Sequence, residues 1–146
     1  MKNRLLNYIK SYYWECFATV RLPPNIPPDR SHEHVVRDVL RPLGKFLKSR
    51  VAAFTVASYG HGQHRSHLHI LLLSKSRVLS TRISDAQDYL RSTRTTLNSH
   101  ENAIDLRPYL EDQHPEYTVK HMLYDSDKNW YDKKLLEELK TKGATH

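Results

Sequence analysis

The stretch VAAFTVASYGHGQHRSHLHILLLS, residues 51–74, contains two runs of apolar and β-branched residues separated by a polar segment with two glycines. Runs of this length, bounded by turn residues, are typical of β-strands. We therefore predict a β-hairpin whose strands cover 51–59 and 66–73. The second strand carries His67 and His69 directly before its aliphatic run.

Working outward from the hairpin, the chain predicts strands and helices on both sides. WECFATVRL at 14–22 predicts a strand, and after the proline-rich LPPNIPPDR an apolar spacing of three to four residues predicts a helix that Pro42 kinks or divides. Four elements are predicted after the hairpin: a helix near 84–98, a short strand at 103–109, a helix from Pro115 and a charged helix near 130–142.

This order of elements predicts a single domain over 1–146, with its core near 14–125. The expected class is α+β, with a central antiparallel sheet of four or five strands and helices mainly on one face, in a ferredoxin-like arrangement.

The composition narrows the class of protein. The net charge is +7, and it is uneven: residues 1–75 hold 12 Lys and Arg against 4 Asp and Glu, whereas 76–146 hold 11 against 12. Such asymmetry is typical of a basic surface for a polyanion, although small basic domains are also common. The lone Cys16 excludes an intramolecular disulfide, and no apolar stretch approaches the roughly 20 residues of a membrane span. We expect a cytoplasmic protein without membrane contact.

His67 and His69 project from one face of their strand, because successive side chains alternate. Leu68, Ile70 and Leu72 then belong to the opposite, core-facing side. The two histidines are either metal ligands or ordinary polar residues of a strand, and the pair alone does not decide between these interpretations.

The helix from Pro115 adds further polar groups. At 100° per residue, Tyr117, Lys120 and His121 share one face, with an apolar face opposite. An ordinary amphipathic helix would explain any one of these residues. Together with a His-x-His strand in a small basic domain, they favour a functional site.

These motifs resemble those of the HUH endonucleases, which include rolling-circle replication initiators, relaxases and single-tyrosine transposases. The resemblance rests on HLH at 67–69 before an aliphatic run, on YTVKH at 117–121, and on FATVRLP at 17–23 as a weaker first motif. It implies an RRM-like sheet and nicking of single-stranded or hairpin DNA by a tyrosine. His121 occupies the place of the second tyrosine in two-tyrosine relatives, which favours a single-tyrosine replication initiator (Rep) of a plasmid or virus.

The resemblance also implies residue roles. Tyr117 would be the nucleophile and Lys120 would offset developing charge, while His67 and His69 would hold Mn²⁺ or Mg²⁺. A third ligand is left open between His121, the turn residues His61 and His64, and water. Initiators of this family often place a glutamate shortly before the histidine pair, and this chain has Ser58 or Tyr59 there instead.

Several basic and aromatic residues are candidates for contact with DNA. Arg41, Lys45 and Lys48 recur along one helix face, and Arg65 lies beside the histidine strand. Tyr12, Tyr13 and Trp14 are possible stacking platforms. A solvated helix face explains the first group equally well, and core packing explains Trp14.

The expected function is metal-dependent nicking and joining of DNA that initiates rolling-circle replication in a host cell, with a host helicase and polymerase as further partners. The alternatives are a single-tyrosine transposase of the same chemistry and a non-catalytic nucleic-acid-binding module in which both histidines are structural.

Overall fold

The computed structural model describes residues 6–7, 9–21, 31–58, 67–93, 104–110, 128–131 and 133–139. In chain order the elements are β1 (Cys16–Arg21), α1 (Ser31–Val35), a π-helical segment (Val36–Leu40), α2 (Arg41–Leu47), β2 (Val51–Ser58), β3 (His67–Ser74), a 3₁₀ turn (Leu79–Thr81), α3 (Ile83–Thr93), β4 (Ile104–Pro108), β5 (Lys128–Tyr131) and α4 (Lys133–Leu139). None of the helices in this part of the chain has the length and apolarity needed to cross a membrane.

Five strands form one antiparallel sheet in the order β4-β1-β3-β2-β5. Helices connect β1 to β2 and β3 to β4, so the two crossovers interlock and β3 lies at the centre. This is the split βαβ order of ferredoxin-like domains. The structure confirms the α+β class and the central antiparallel sheet.

The end of the chain differs from its prediction. The sequence predicts a helix from about residue 130, but Trp130 lies in β5 opposite Phe54 of β2, and α4 begins at Lys133. Strand β5 forms by backbone pairing with β2, a partner distant in the chain, and the local charge pattern does not show such pairing. The helix predicted from Pro115 lies outside the described residues.

Both faces of the sheet are buried at its centre. On one face, Leu68, Ile70 and Leu72 of β3 pack against α1, the π-helical segment, α2 and α3. On the other, Leu71 and Leu73 pack with the N-terminal segment and α4. Buried apolar side chains on both sides explain why the end of β3 is a continuous aliphatic run rather than an alternating one.

Pro42 lies inside a continuous helical path rather than at a break. Proline lacks the N–H that would bond the carbonyl of residue i−4, and its ring crowds that carbonyl. The preceding turn, Val36–Leu40, widens into a π-helix, and the Arg41 N–H donates to the Val36 carbonyl five residues back. The predicted helix is therefore divided into α1 and α2, which are joined by a π-helical turn rather than separated by a break.

The outer edge of β4 is covered by α3. The Leu106 N–H donates to Gln87 Oε1 at 2.7 Å, and Arg91 donates through Nε and Nη2 to the Ile104 carbonyl at 3.1 and 3.0 Å. Side chains thus satisfy backbone groups that would otherwise offer a template for strand addition.

Glu15 ties the end of the sheet remote from the hairpin to the segment after β3. Its carboxylate is 4% exposed and accepts bonds from the Ser74 N–H, the Ser74 hydroxyl at 2.8 Å and the Ser80 N–H at 3.0 Å. The Ser74 hydroxyl in turn accepts the N–H groups of Val78 and Leu79. A buried carboxylate is tolerated here because several donors solvate it.

Candidate functional site

His67 and His69 lie on the central strand of the sheet, at the end nearest the hairpin connection. In the ladder His67 pairs with Arg21 of β1 and Ser58 of β2, and His69 pairs with Thr19 and Val56. Two residues apart on one strand, they belong to the same face, as the sequence predicts. We call this the histidine face; it is opposite the face covered by α1–α3.

The His69 ring is held firmly within the protein. It is 4% exposed, and it stacks on Phe17 with ring centroids 5.6 Å apart and an angle of 26° between the planes. Neither ring nitrogen has appreciable solvent-accessible surface. A fixed ring orientation suits a metal ligand, and the same burial suits a histidine that packs in the core. For His67 the structure describes the backbone and not the side chain.

An acidic residue lies on the histidine face two strands away. Thr19 pairs with His69 on one side and with Asp105 of β4 on the other, which places the Asp105 and His69 backbones about 10 Å apart. The Asp105 carboxylate is half-buried and lies 2.7 Å from Arg107 Nε. The sequence search missed Asp105 because it considered acids on the strand before the histidines, whereas β4 follows them in the chain.

Within the described residues, no three His, Cys, Asp or Glu side chains come close enough together to hold a metal ion.

Arg21 is a second residue that sequence reasoning missed. It is the exposed last residue of β1, directly in register with His67. Along β1 the histidine face changes from the buried Phe17 through the partly exposed Thr19 to the exposed Arg21. A cation at this open end would favour a phosphate close to His67. The motif FATVRLP contains Arg21, but only strand register reveals its neighbour.

Most of the other predicted site residues lie outside the described residues: Tyr117, Lys120, His121, His61, His64 and Arg65. Their roles stay predictions.

Three predicted DNA-contacting residues, two on α2 and one directly after it, are not near the histidine pair. Arg41, Lys45 and Lys48 are exposed, as a DNA contact requires. Helix α2 packs through Leu43 and Leu47 on the face opposite the histidines. DNA bound at the histidine face would therefore meet them only by passing around the domain.

The aromatic residues before β1 separate into two groups. Tyr12 and Trp14 are buried in the core of the histidine face, with ring centroids 5.3 Å apart, and Trp14 Nε1 donates to the Ile9 carbonyl. The stacking interpretation is therefore wrong for Tyr12, and for Trp14 the alternative of core packing is confirmed, because burying such large rings is favourable. Tyr13 is 51% exposed, so its role as a stacking platform stays a prediction.

Comparison with known proteins adds no relative. No protein-family model matches the chain, and neither the curated proteins nor the solved structures contain a significant match.

Proposed function

We propose that this protein is a metal-dependent endonuclease that nicks and rejoins single-stranded or hairpin DNA through a 5′-phosphotyrosine, and so initiates rolling-circle replication of a plasmid or virus. The observation that carries the proposal is the position of His67 and His69. They lie on one face of the central strand, at the end where that face opens towards Arg21.

His67 and His69 would hold Mn²⁺ or Mg²⁺, with His121 as the third protein ligand and His61, His64 or water as its substitutes. A divalent cation supplies charge neutralisation and alignment of the scissile phosphate. The stacked, buried His69 ring supports this role because a ligand fixed by packing needs no reordering on binding. Arg21, in register with His67, would contact the same phosphate.

Tyr117 would carry out the chemical step. Its phenolic oxygen forms a bond to phosphorus while the bond from phosphorus to the 3′ oxygen breaks, and the phenol proton ends on the released 3′-OH. A free phenol has a pKa near 10, so only about a thousandth is ionised at neutral pH. Lys120, one helical turn away, would offset the developing negative charge. The phosphotyrosine conserves the bond energy, so the same site can rejoin the strand.

Two alternative functions are distinguishable from this one. A single-tyrosine transposase would use the same residues and form the same adduct, but it would join the cleaved strand to a new target. A non-catalytic nucleic-acid-binding module is favoured by one observation, the burial of His69 against Phe17, which is also what a packing residue would show.

The test is covalent capture. The protein is incubated with a single-stranded DNA hairpin and Mn²⁺, and the adduct is separated on a denaturing gel. We expect Tyr117→Phe to abolish the adduct while DNA binding is retained. The matched control is Tyr89→Phe, which removes the hydroxyl of a partly buried tyrosine of α3 on the face opposite the histidines and should leave the adduct unchanged.

Two results would contradict the proposal. An adduct that survives Tyr117→Phe would show that a different residue is the nucleophile. An adduct that forms fully in excess chelator would show that the reaction needs no metal ion. Absence of any adduct over a range of hairpins, with DNA binding intact, would favour the binding module.

A further inference from the structure

A basic depression lies at the C-terminal end of α2. It has a volume of about 450 Å³ and is lined by Leu40, Arg41, Gly44, Lys48, Ser49, Arg50 and Val51. Three of the seven described lining residues are cations, and Arg41, Lys48 and Arg50 are all exposed.

The backbone builds this depression by turning sharply after α2. Lys48 adopts a left-handed conformation, with φ of 55°, and the Gly44 carbonyl accepts the N–H groups of both Lys48 and Ser49. A Cβ atom on Gly44 would lie 3.2 Å from the Ser49 carbonyl oxygen, so the glycine permits this close approach. The chain thereby folds back, and Lys48 and Arg50 lie beside Arg41 along the rim.

Two hydrogen bonds bring further cations to the same end of the sheet. The Ser76 N–H donates to Ser49 Oγ at 3.0 Å, and the Lys75 N–H donates to the Arg50 carbonyl at 2.9 Å. The turn after β3, which carries the exposed Lys75 and Arg77, is thus fixed against the segment that enters β2.

The charge of this region is strongly one-sided. Residues 41–50 contain four cations and no acid. Glu138 of α4 lies 3.9 Å from both Arg50 Nη1 and Lys75 Nζ, and it offsets only part of this charge. Exposed pairs at this distance are weak and are readily displaced by a phosphate.

We infer that the basic depression binds the phosphate backbone of double-stranded DNA. Among its described lining residues there is no aromatic side chain. Single-stranded DNA is typically held by bases stacked on aromatic rings, whereas cations without such platforms recognise the backbone alone. Arg41, Lys48 and Arg50 fit the second mode.

The depression is remote from the histidine face. Val51 begins β2 and Ser58, the partner of His67, ends it, so the two sites are separated by about 24 Å along the strand. Leu40 and Val51 of the depression belong to the core under α1–α3, on the face opposite the histidines. The inference rests on the proposed function for the identity of the polyanion: one segment of DNA is nicked at the histidine face, and a flanking duplex is held at the depression.

The test is fluorescence anisotropy with a short blunt duplex, measured over a series of salt concentrations in excess chelator, so that no nicking is involved. We expect Arg41→Gln/Lys48→Gln to lower the affinity at least about tenfold and to reduce the salt slope by about 2, since each lost phosphate contact contributes about 0.9. The charge-matched control Lys10→Gln/Lys134→Gln, at two exposed lysines away from the depression, should change both quantities much less.

A second variant makes the opposite prediction. Glu138→Gln removes the carboxylate that competes for Arg50 and Lys75, so duplex affinity should rise about two- to fivefold. The inference is overturned if both double variants weaken binding equally, or if Arg41→Gln/Lys48→Gln weakens a single-stranded oligonucleotide as much as the duplex.

The failure of this inference and that of the proposed function give different results. If the adduct forms but Arg41→Gln/Lys48→Gln binds the duplex as well as the unmodified protein does, the nicking function is supported and the duplex site is contradicted. If the unmodified protein forms no adduct but the variant loses duplex binding, the duplex site is supported and the nicking function is contradicted.

Discussion

The two faces of β3 differ in what they bury. On the face under α1–α3, Leu68, Ile70 and Leu72 are all fully enclosed. On the other face, the aliphatic Leu71 is followed by His69 in the direction of the hairpin. Their partners on β1 are Phe17 and Thr19, respectively. A core needs only apolar groups, and enclosing an imidazole costs free energy unless its nitrogens are satisfied. The hairpin end of the histidine face therefore differs from the helix-covered face in that it encloses an imidazole among apolar side chains.

The largest expected effect is on the rate of adduct formation in His69→Phe, a replacement that distinguishes a packing role of His69 from a role as a metal ligand. His69→Phe keeps an aromatic ring against Phe17, so the free energy of unfolding should change by less than about 1.5 kcal/mol, as in other volume-conserving replacements. Loss of a metal ligand should lower the rate of adduct formation by about a thousandfold, or roughly 4 kcal/mol of activation free energy. Urea unfolding and single-turnover nicking measure the two quantities.

The control for this experiment is His34→Phe on α1. His34 is 18% exposed, and its Nδ1 lies 2.9 Å from Arg37 Nη2 and 3.8 Å from Asp38 Oδ2, on a helix that covers the opposite face. The rate of adduct formation should not respond to this change. Normal nicking by His69→Phe would make the histidine face a second packing face, and the comparison of the two faces would then lose its functional meaning.

The next effect concerns stability at the end of the sheet remote from the hairpin. Glu15→Ala removes the acceptor for the Ser74 N–H, the Ser74 hydroxyl and the Ser80 N–H, in a buried site. We expect a loss of about 3 kcal/mol in the free energy of unfolding, because buried donors lose a charged partner. Chemical denaturation measures it, with the exposed Glu137→Ala as a control that should change stability by less than about 0.5 kcal/mol.

This result would sharpen the comparison between the ends of the sheet. If Glu15→Ala lowers the free energy of unfolding no more than Glu137→Ala does, the hydrogen bonds of the buried carboxylate do not stabilise the fold. The presence of a buried acid at this end of the sheet would then need another explanation. If the cost is as expected, stability is concentrated at that end and is separable from the histidine pair.

The local parts of the fold were accessible from the sequence. The strands predicted at 51–59 and 66–73 agree with β2 and β3 to within one residue at each end, because apolar runs and turn residues act over short distances. The same holds for the two faces of β3, which follow from alternation alone. Strand β5 was missed because its stability depends on pairing with β2.

The candidate site was accessible only in part. His67 and His69 form a local motif, and their shared face is confirmed. Arg21 and Asp105 are brought to that face by pairing between strands far apart in the chain, which no local pattern shows. The burial of Trp14 depends in the same way on residues from the hairpin and from α4.

The smallest effect tests the face under the helices through the buried thiol of Cys16. Burial raises the pKa of the Cys16 thiol from 9.0 to about 12, with smaller contributions from the carboxylates of Glu15 and Asp105. The unfolded chain therefore loses this proton near pH 9, whereas the folded protein keeps it until about pH 12. The resulting stabilisation is fully present below pH 9 and is lost as the pH rises from 9 towards 12.

Comparison of the unmodified protein with Cys16→Ala isolates this contribution, since all other ionising groups are common to both. Between pH 8 and pH 10 the free energy of unfolding should fall by about 1 kcal/mol more in the unmodified protein than in the variant. Urea unfolding at each pH measures the difference. Equal slopes would mean that water reaches the thiol, and the core under α1–α3 would then not exclude water at Cys16.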